Sequence, residues 1–349
     1  MDNNLIIGMP AGSLANATRG GNLKEFLENS GFSTTGYETG GPTSFPMVNF
    51  LLGWDGRPQE FGTQLMLNEI DVAIAGDDWI EERKLELQME YNISINLMKI
   101  LSLKKGSVRI VGIVNDSINE ATTEIFLKGF FEKNKLITVV SELPYMALNW
   151  IQSKMKAAGL NEKAASWSVQ KYKTPPKIQE GIIIYETWGK TEAKIKNGSA
   201  DIGLEITQSG SALRSYGLKI IDEVYTSEAG VWVNQSILSN PIKKELLEMF
   251  IINLYGSINA ESKVMLVFNI PSEKTDIAKA FLLKHNLYAD EPTIIPGSKY
   301  AQYSIQVSTK NIDMPLAKVR YELIKHGARN IETMPLLSSI PDMTSILNF

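Results

Sequence analysis

The 349-residue sequence contains no cysteine, and this absence excludes disulfides, thiol chemistry and thiolate metal sites. Histidine is nearly absent as well. The two histidines, His285 and His326, fall in the last quarter of the chain, so we expect neither a histidine-based metal site nor a Ser-His-Asp triad in the main body. The 35 basic and 39 acidic residues leave a formal net charge of -4. Without an excess of either sign, the composition favours neither nucleic acid nor a membrane surface as a partner.

Long apolar runs are absent too. No segment approaches the ~20 apolar residues that span a bilayer. The first residues, Met1 to Gly8, lack the basic start and the longer apolar run of a secretory signal. We therefore expect a soluble protein in the cytoplasm. The hydrophobic fraction of 44% is enough for a sizeable core, and 349 residues predict two or three domains.

Short apolar segments alternate with helix-like segments over most of the chain. Strand candidates include Val72 to Ala75 and Ile202 to Ile206, and Pro144 to Ala158 is a clear amphipathic helix. This alternation predicts an α/β protein with parallel, doubly wound sheets. Two polar segments interrupt it: 33–46 is predicted to be a loop, and 161–179 a surface excursion.

Residues 68–76 and 197–205 share one plan: a helix end, a short turn, an aspartate (Asp71 or Asp201) and an apolar strand. Helix-to-strand turns often look alike, and that is one explanation. The other is a repeat, which predicts two similar α/β lobes facing a cleft. Since ligands bind at the carboxyl ends of strands in open α/β sheets, both strands would end at that cleft.

The last segment of the chain has a different order, in which two strand-helix-strand units follow each other. The predicted elements are Ser262 to Ile270, Glu273 to His285, Thr293 to Ile295, Tyr303 to Ser308, Met314 to His326 and Asn330 to Met334. This βαββαβ order is that of a ferredoxin-like (ACT-like) domain. We predict residues 1–106 with 219–259 as a first lobe, 107–218 as a second lobe and 260–349 as a C-terminal domain.

The segment Glu205 to Arg214 is a small-residue turn between a strand and a helix. Such a turn presents backbone N–H groups at the positive end of a helix dipole, which favours a bound anion, and Ser209 and Ser211 can add hydroxyl donors. Glu205 cannot hold a phosphate, but its carboxylate can accept hydrogen bonds from sugar hydroxyls or help to place magnesium. An ordinary surface loop is the alternative, because small polar turns at helix starts are common.

Residues Glu205 to Leu218 resemble the phosphoribosyl pyrophosphate loop of ATP phosphoribosyltransferase, the first enzyme of histidine biosynthesis. That family shows an acid, a Ser/Thr turn with glycine, a leucine and a closing Asn-Gly-Leu; here Gly210, Leu213 and Gly217-Leu218 are in register. The resemblance extends along nearly the whole chain. Further similar segments are Met9 to Leu14, Asp71 to Asp77, Trp188 to Glu192 and, near the C-terminus, Glu261 to Lys263, Pro292 to Ile294 and Gly327 to Arg329.

The resemblance is to the long form of this family. It implies a two-lobed core similar to periplasmic binding proteins, followed by a regulatory-type domain that binds histidine as an effector. It implies transfer of phosphoribose from phosphoribosyl pyrophosphate to N1 of ATP, with magnesium and release of pyrophosphate. Such chemistry needs positioning and electrostatic stabilisation of the leaving group more than a general base. It also implies a homo-oligomer, either a dimer or a hexamer.

The resemblance names Glu205 and Arg57 as candidate catalytic residues and assigns no metal ligand. The candidate substrate-binding residues are Gly12, Ser13, Gly76, Asp77, Trp188, Glu192, Thr207, Ser209, Gly210, Ser211, Ala212 and Leu213. Three sets keep a structural alternative. Asp77 and Asp78 either place magnesium or cap a helix, and Glu192 either contacts a ribose or base or caps its helix. The aromatic residues either stack on an adenine or belong to the core; these are Trp54, Trp79, Trp188 and Tyr216.

The sequence departs from the family at three positions. The family's first motif is Pro-Lys-Gly-Arg-Leu, but Ala11 and Ser13 replace its two cations, and Ala212 replaces a loop threonine. Since a charge-assisted hydrogen bond is worth about 1.5–3 kcal/mol, the losses can exceed about 4 kcal/mol unless other groups replace them. Candidate replacements are Arg19, Arg57, Lys190 and Arg214. The alternatives are a divergent paralogue with another acceptor, a non-catalytic nucleotide-binding protein, or a solute-binding protein of similar two-lobed architecture.

Overall fold

The computed structural model describes residues 4–12, 14–15, 22–37, 41–288 and 292–347. The chain divides into two compact units, one formed by Met1–Leu23 with Thr34–Lys244 and the other by Lys24–Ser33 with Glu245–Phe349. Within the described ranges, no helix is long and apolar enough to cross a membrane.

The strands and helices follow in chain order. The strands are β1 (Leu5–Pro10), β2 (Leu51–Gly56), β3 (Val72–Gly76), β4 (Leu97–Ser102), β5 (Val108–Asn115), β6 (Leu136–Ser141), β7 (Trp167–Lys171), β8 (Gly181–Glu186), β9 (Ile202–Thr207), β10 (Leu218–Ser227), β11 (Ala229–Asn234), β12 (Lys263–Pro271), β13 (Thr293–Ile295), β14 (Tyr300–Ser308) and β15 (Arg329–Pro335). The α-helices are α1 (Leu23–Asn29), α2 (Pro58–Met66), α3 (Asp77–Tyr91), α4 (Thr123–Lys133), α5 (Pro144–Ala157), α6 (Asn161–Ala165), α7 (Thr191–Lys196), α8 (Ser211–Ser215), α9 (Pro241–Ala260), α10 (Thr275–Lys284) and α11 (Leu316–Lys325). Short 3-10 helices span Gln235–Ser239 and Ser272–Lys274.

Two mixed sheets organise the first unit. One has the order β2-β1-β3-β11-β4, with β11 antiparallel to both of its neighbours. The other has the order β10-β5-β9-β6-β8-β7, with β5 antiparallel to β9 and β10. The predicted parallel pairing is therefore found for β1 with β2 and β3 and for β8 with β6 and β7, but both sheets also contain antiparallel pairs. The chain passes between the two sheets at residues 103–107 and at Glu228, and neither connection contains a helix. Neighbouring parallel strands need a long crossover connection, usually a helix, which these two connections do not provide.

Each sheet and its helices form a lobe. The predicted first lobe includes 219–259, but β10 pairs with β5 in the second sheet. We propose that the chain returns to the first lobe at β11, and we keep the three-part division of the chain as a proposal. The second sheet is covered on both faces, because Ile182 and Ile184 of β8 pack into one buried cluster and Ile183 packs into another.

Two aspartates end the turns that precede β3 and β9, and they make the same hydrogen bonds. The Asp71 N–H donates to the Ile6 carbonyl at 2.9 Å, and the Asp71 carboxylate accepts the Ile6 N–H at 2.9 Å. The Asp201 N–H donates to the Thr138 carbonyl at 2.9 Å, and the Asp201 carboxylate accepts the Thr138 N–H at 2.8 Å. Each aspartate thus binds the neighbouring parallel strand, β1 or β6, in the same way. This common geometry supports the two lobes as structural counterparts.

Glu82 on α3 connects the first lobe to α5 of the second lobe. Its Oε1 accepts the Tyr145 N–H at 2.9 Å, and its Oε2 accepts the Met146 N–H at 2.8 Å. These N–H groups belong to the first turn of α5, where the helix itself offers no acceptor. Glu82 is only 7% exposed, and burial raises its pKa to about 8 in spite of the two hydrogen bonds.

The two polar segments differ in structure. Residues 161–179 are not an irregular excursion: they contain α6 and β7, and β7 forms the edge of the second sheet, parallel to β8. The described part of 33–46 is a loop, as predicted, apart from an isolated bridge between Thr35 and Ser44. The Tyr37 hydroxyl in this loop donates to the Pro10 carbonyl at 2.6 Å, which places the loop at the carboxyl end of β1.

The second unit contains a four-stranded antiparallel sheet of order β13-β14-β12-β15. Its elements follow the predicted βαββαβ order, which is therefore confirmed. The sheet packs on α10 and α11 through buried residues such as Phe268, Leu282 and Leu323. In the same unit, the Phe32 ring packs 5.1 Å from the Phe250 ring on α9.

Candidate active site

Two adjoining cavities of 320 and 560 Å³ lie between the sheets of the first unit, and we call them together the cleft. Both cavities are lined by Arg57, Gln59, Trp79, Glu142 and Trp188. The lining also includes residues at the carboxyl ends of β1, β3 and β9, namely Gly12, Gly76 and Ile206. The prediction that β3 and β9 end at a common cleft is confirmed, as expected for open α/β sheets.

The first-lobe wall of the cleft contains Arg57, Gly12 and Gly76. Arg57 is exposed at the start of α2, where its backbone is extended, and its side chain borders both cavities. Gly12 has a φ of +100°, a conformation that side chains disfavour. The predicted site residue Ser13 and the candidate cation Arg19 lie outside the described residues. Among those described, Arg57 is the cation common to both cavities.

The acidic pair at the start of α3 is already engaged in hydrogen bonds. The Lys99 ammonium donates to the Asp77 carboxylate at 2.8 and 2.9 Å. Asp78 is 5% exposed and accepts the Ser227 hydroxyl at 2.9 Å, and burial raises its pKa. Asp78 borders the larger cavity and Asp77 does not. Both carboxylates stabilise the positive N-terminal end of α3, which begins after Gly76. Contact between Asp77 and the substrate stays a prediction.

The loop between β9 and α8 has the form expected of an anion-binding turn. Gly210 has a φ of +70°, and its N–H donates to the Thr207 hydroxyl at 3.0 Å. The Ser209 hydroxyl donates to the Ser211 hydroxyl at 3.0 Å and accepts the Ser211 N–H at 3.3 Å. The first N–H groups of α8 have no acceptor within the helix. Two exposed serine hydroxyls and these N–H groups suit a phosphate group.

Residues after Gly210 fix this loop in place. Leu213 is 3% exposed and packs into the core beside Leu218. Ala212 is exposed and offers a methyl group where the family has a hydroxyl. The Arg214 guanidinium lies 3.4 Å from the Ser209 carbonyl oxygen, so its positive charge borders the loop. Residues 207–213 lie beyond the lining of the two cavities, whereas Ile206 borders the larger one.

Glu205 does not line either cavity, but Ile206, the next residue of β9, borders the larger one. The Oε2 atom of Glu205 is buried, and no described residue forms a hydrogen bond with that atom. Burial, followed by the negative charge of Glu192, raises the pKa of Glu205 to about 7. Glu142 contributes to this rise, and burial raises the pKa of Glu142 as well. Within the described ranges, no group of three or more acidic, histidine or cysteine side chains has the geometry of a metal site.

The aromatic candidates divide into two pairs. Trp188 is 71% exposed in the turn after β8, and both it and Trp79 border the two cavities. The Lys171 ammonium lies 6.0 Å from the Trp188 ring centroid and also pairs with Glu186. Trp54 and Tyr216 do not border either cavity. The cleft therefore offers two indole surfaces on which a base can stack.

The structure adds residues to the cleft that the sequence interpretation missed. Four of these residues line the smaller cavity, namely Glu82, Glu142, Lys171 and Glu186. Glu142 had a usable signal, because it comes directly after β6 and the carboxyl ends of strands form the cleft. Lys171 had no usable sequence signal, because its strand β7 lies in the segment predicted to be a surface excursion.

Comparison with known proteins identifies the family. A family model described as ATP phosphoribosyltransferase matches residues 57–258, which is more than half of the chain. The chain belongs to the ATP phosphoribosyltransferase family. The ATP phosphoribosyltransferase of Trichlorobacter lovleyi is 26% identical over 339 residues, which cover 95% of this chain and 97% of the relative. That of Geotalea uraniireducens is 26% identical over 352 residues, which cover 96% and 99%.

Among solved structures, the chain is similar to the ATP phosphoribosyl transferase (HisG:HisZ) complex from Thermotoga maritima. The identity is 16% and the TM-score 0.49, covering 72% of this chain and 98% of that chain. The family model and the relatives confirm the resemblance found in the sequence. By homology, the chain is an ATP phosphoribosyltransferase enzyme of the first step of histidine biosynthesis. Its fold is α/β, with a core of two mixed sheets and a third, antiparallel C-terminal sheet.

Proposed function

We propose that the cleft transfers phosphoribose from phosphoribosyl pyrophosphate to N1 of ATP, with residues of the two lobes in separate roles. The observation that carries this proposal is the loop after β9, which holds two serine hydroxyls and the N–H groups of α8 next to Glu205. The 5′-phosphate binds to the hydroxyls of Ser209 and Ser211 and to the N–H groups of Ala212 and Leu213, because the N–H groups of Gly210 and Ser211 already donate to Thr207 and Ser209. The Arg214 guanidinium adds positive charge beside it.

Glu205 holds the ribose in this proposal. Its buried Oε2 has no hydrogen-bond partner among the described residues, so a ribose hydroxyl would supply the missing donor. A carboxylate accepts such a bond better than a protonated carboxyl does. Because the pKa of Glu205 is raised to about 7, this contact strengthens as the pH increases through 7. We propose that Glu192, whose negative charge acts on Glu205, shares this role.

The pyrophosphate end lies toward the first lobe. Arg57 borders both cavities and stabilises the negative charge that develops on the leaving group. In the step itself, the lone pair of adenine N1 forms a bond to the anomeric carbon. The bond from that carbon to the pyrophosphate oxygen breaks, and pyrophosphate leaves with its electron pair. We propose that magnesium arrives bound to the pyrophosphate of the substrate, since the described residues contain no metal-binding cluster.

The adenine of ATP stacks on the indole surfaces of the cleft. Trp188 is the stronger candidate because most of its ring is exposed at a turn that borders both cavities. A Cβ at Gly12 would have no atom within 4 Å, so a substrate can approach the protein backbone closely there. At Gly76 the corresponding space is taken by the Asp78 carboxylate.

The direct test is to incubate the protein with ATP, phosphoribosyl pyrophosphate and magnesium and to detect phosphoribosyl-ATP by mass spectrometry. A double variant, Ser209→Ala with Ser211→Ala, should raise the KM for phosphoribosyl pyrophosphate about tenfold or more and leave the KM for ATP nearly unchanged. The matched control is Ser215→Ala, an exposed serine of the same short helix. Absence of product with well-folded protein would refute the proposal.

A second candidate function is favoured by the charges of the cleft. The smaller cavity is lined by Glu60, Glu82, Glu86, Glu142 and Glu186 against Arg57, Arg83 and Lys171. Because the pKa of Glu82 is about 8, that side chain is mostly uncharged at pH 7, and the negative groups outnumber the positive ones by at most one. Together with Ala11 and Ala212, this suits a phosphoribosyltransferase whose acceptor carries less negative charge than ATP. Calorimetry distinguishes the two candidates, because binding of phosphoribosyl pyrophosphate without turnover of ATP supports the second.

Three further properties are proposed from the family resemblance alone. We propose a homo-oligomer, either a dimer or a hexamer, which sedimentation velocity tests. We propose histidine as an effector of the C-terminal domain, which inhibition of the transferase reaction by histidine tests. We also propose a cytoplasmic location, which cell fractionation tests; recovery from a periplasmic fraction would instead favour a solute-binding role.

A further inference from the structure

The second unit contains a cavity that the proposed transfer reaction does not use. It lies between α10 and α11 and has a volume of 420 Å³, within the range of about 300–1,000 Å³ that small-molecule pockets occupy. The side chains on α10 and before α11 that form its apolar surface are Ile277, Ala280, Phe281 and Met314. The polar side chains that border it are Lys284, His285, Lys318, Glu322 and His326.

Both histidines of the chain border this one cavity, each at the end of a different helix. The His285 ring lies 5.0 Å from the Phe281 ring, and the His326 ring lies 5.1 Å from it. Three planar rings are therefore grouped at a half-exposed apolar surface. Such a group offers ring faces and edges to a flat ligand.

The charge of the lining favours an anion. Lys284 and Lys318 contribute two ammonium groups, and the carboxylate of Glu322 already binds Lys325 at 3.0 and 3.1 Å. Lys318 donates one N–H to the Asp313 carbonyl at 3.2 Å, which fixes the ammonium and leaves its other N–H groups for a ligand. The described lining is thus net positive in a chain whose formal net charge is -4.

We propose that this cavity binds a small organic anion with a flat apolar body, such as an aromatic carboxylate. The rings of Phe281, His285 and His326 contact the flat body, and the carboxylate binds Lys284 and Lys318 through charge-assisted hydrogen bonds. A zwitterion such as free histidine would leave the positive charge of the lining uncompensated. The site shares no residue with the cleft, so this proposal and the proposed function can fail separately.

The two histidines make a specific test possible. Protein labelled with ¹³C at the histidine Cε1 atoms has two labelled positions, and both border this cavity. On titration with 1-naphthoate, we expect saturable shifts of both histidine signals. The neutral analogue 1-naphthalenemethanol should bind about tenfold more weakly or worse, because it lacks the charge.

Variants separate the proposed contacts from general apolar binding. The double variant Lys284→Ala with Lys318→Ala changes two exposed side chains and should weaken naphthoate binding about tenfold or more. Lys279→Ala, on the same α10 but outside the lining, is the matched control and should leave the affinity unchanged. The proposal is overturned if naphthoate causes no shift, if the alcohol binds equally well, if the double variant retains full affinity, or if L-histidine displaces naphthoate.

Discussion

Replacing Glu82 by glutamine should change the stability of the protein by an amount that depends on pH. Two effects oppose each other at this carboxyl. The Tyr145 and Met146 N–H groups, at 2.9 and 2.8 Å, favour the ionised form, and burial at 7% exposure disfavours it. Burial is the larger effect and raises the pKa from 4.5 to about 8.

The sign follows from proton linkage. A carboxyl whose pKa is higher in the folded state binds its proton more tightly when folded, so stability is lost as the pH rises from the unfolded to the folded pKa. The loss in that window is about 1.4 kcal/mol per pH unit and levels off above the folded pKa. Between pH 6 and pH 9, Glu82 should therefore lower the free energy of unfolding by roughly 2–3 kcal/mol. The E82Q variant lacks the titrating group and should not show this loss.

Urea-induced unfolding of the wild type and of E82Q at pH 6, 7.5 and 9 measures the effect. The free energy of unfolding of E82Q relative to the wild type should rise steadily over this series. Glu81→Gln, on the same helix but less buried, is the matched control for replacing a glutamate of α3. If E82Q instead becomes less stable relative to the wild type as the pH rises, the two hydrogen bonds outweigh burial and the reasoning is refuted.

Three further predictions concern the second lobe. In Gly112→Ala, the new Cβ would lie 2.2 Å from the Trp150 ring, so the free energy of unfolding measured in urea should fall by about 2 kcal/mol or more. The control Gly129→Ala lies on α4, where a Cβ would have no atom within 4 Å, and should raise the free energy of unfolding by ~0.5–1 kcal/mol. Equal effects of the two substitutions would contradict the packing argument. Ala212→Thr should lower the KM for phosphoribosyl pyrophosphate about tenfold in steady-state kinetics, and an unchanged KM would count against the loop as the phosphate site. In a pH series, kcat/KM should rise through about pH 7 as Glu205 ionises, and E205Q should flatten this rise; a flat wild-type profile from pH 6 to 8 would contradict the role of Glu205.

Local patterns in the sequence were enough to determine much of the architecture. The apolar periodicity and turn residues predicted the βαββαβ order of the C-terminal sheet, because each element depends mainly on its own residues. The motif from Glu205 to Leu218 predicted the turn between β9 and α8, in which Gly210 adopts the left-handed conformation. The rule that ligands bind at strand ends placed the ends of β3 and β9 at one cleft, which Gly76 and Ile206 border in the structure.

Other features were decided only by tertiary structure. The edge strand β7 buries its polar residues Ser168 and Gln170, and it is a strand because β8 supplies its hydrogen-bond partners. Both sheets are mixed because the chain crosses between the lobes without a helix. The pattern of apolar residues does not reveal where these crossings occur.

The pKa values of Glu82 and Glu205 depend mainly on parts of the chain that are distant in sequence. In the sequence, Glu82 is an ordinary glutamate of a helix and Glu205 the last acid of a strand motif. Their raised pKa values come from removal from water by packing, at Glu82 together with α5 and at Glu205 together with the charge of Glu192. The sequence by itself determined which chemical groups are present and where most of the predicted strands and helices lie, although it missed α6 and β7. Tertiary structure decided their charge, because the cost of burying a carboxylate depends on every group that surrounds it.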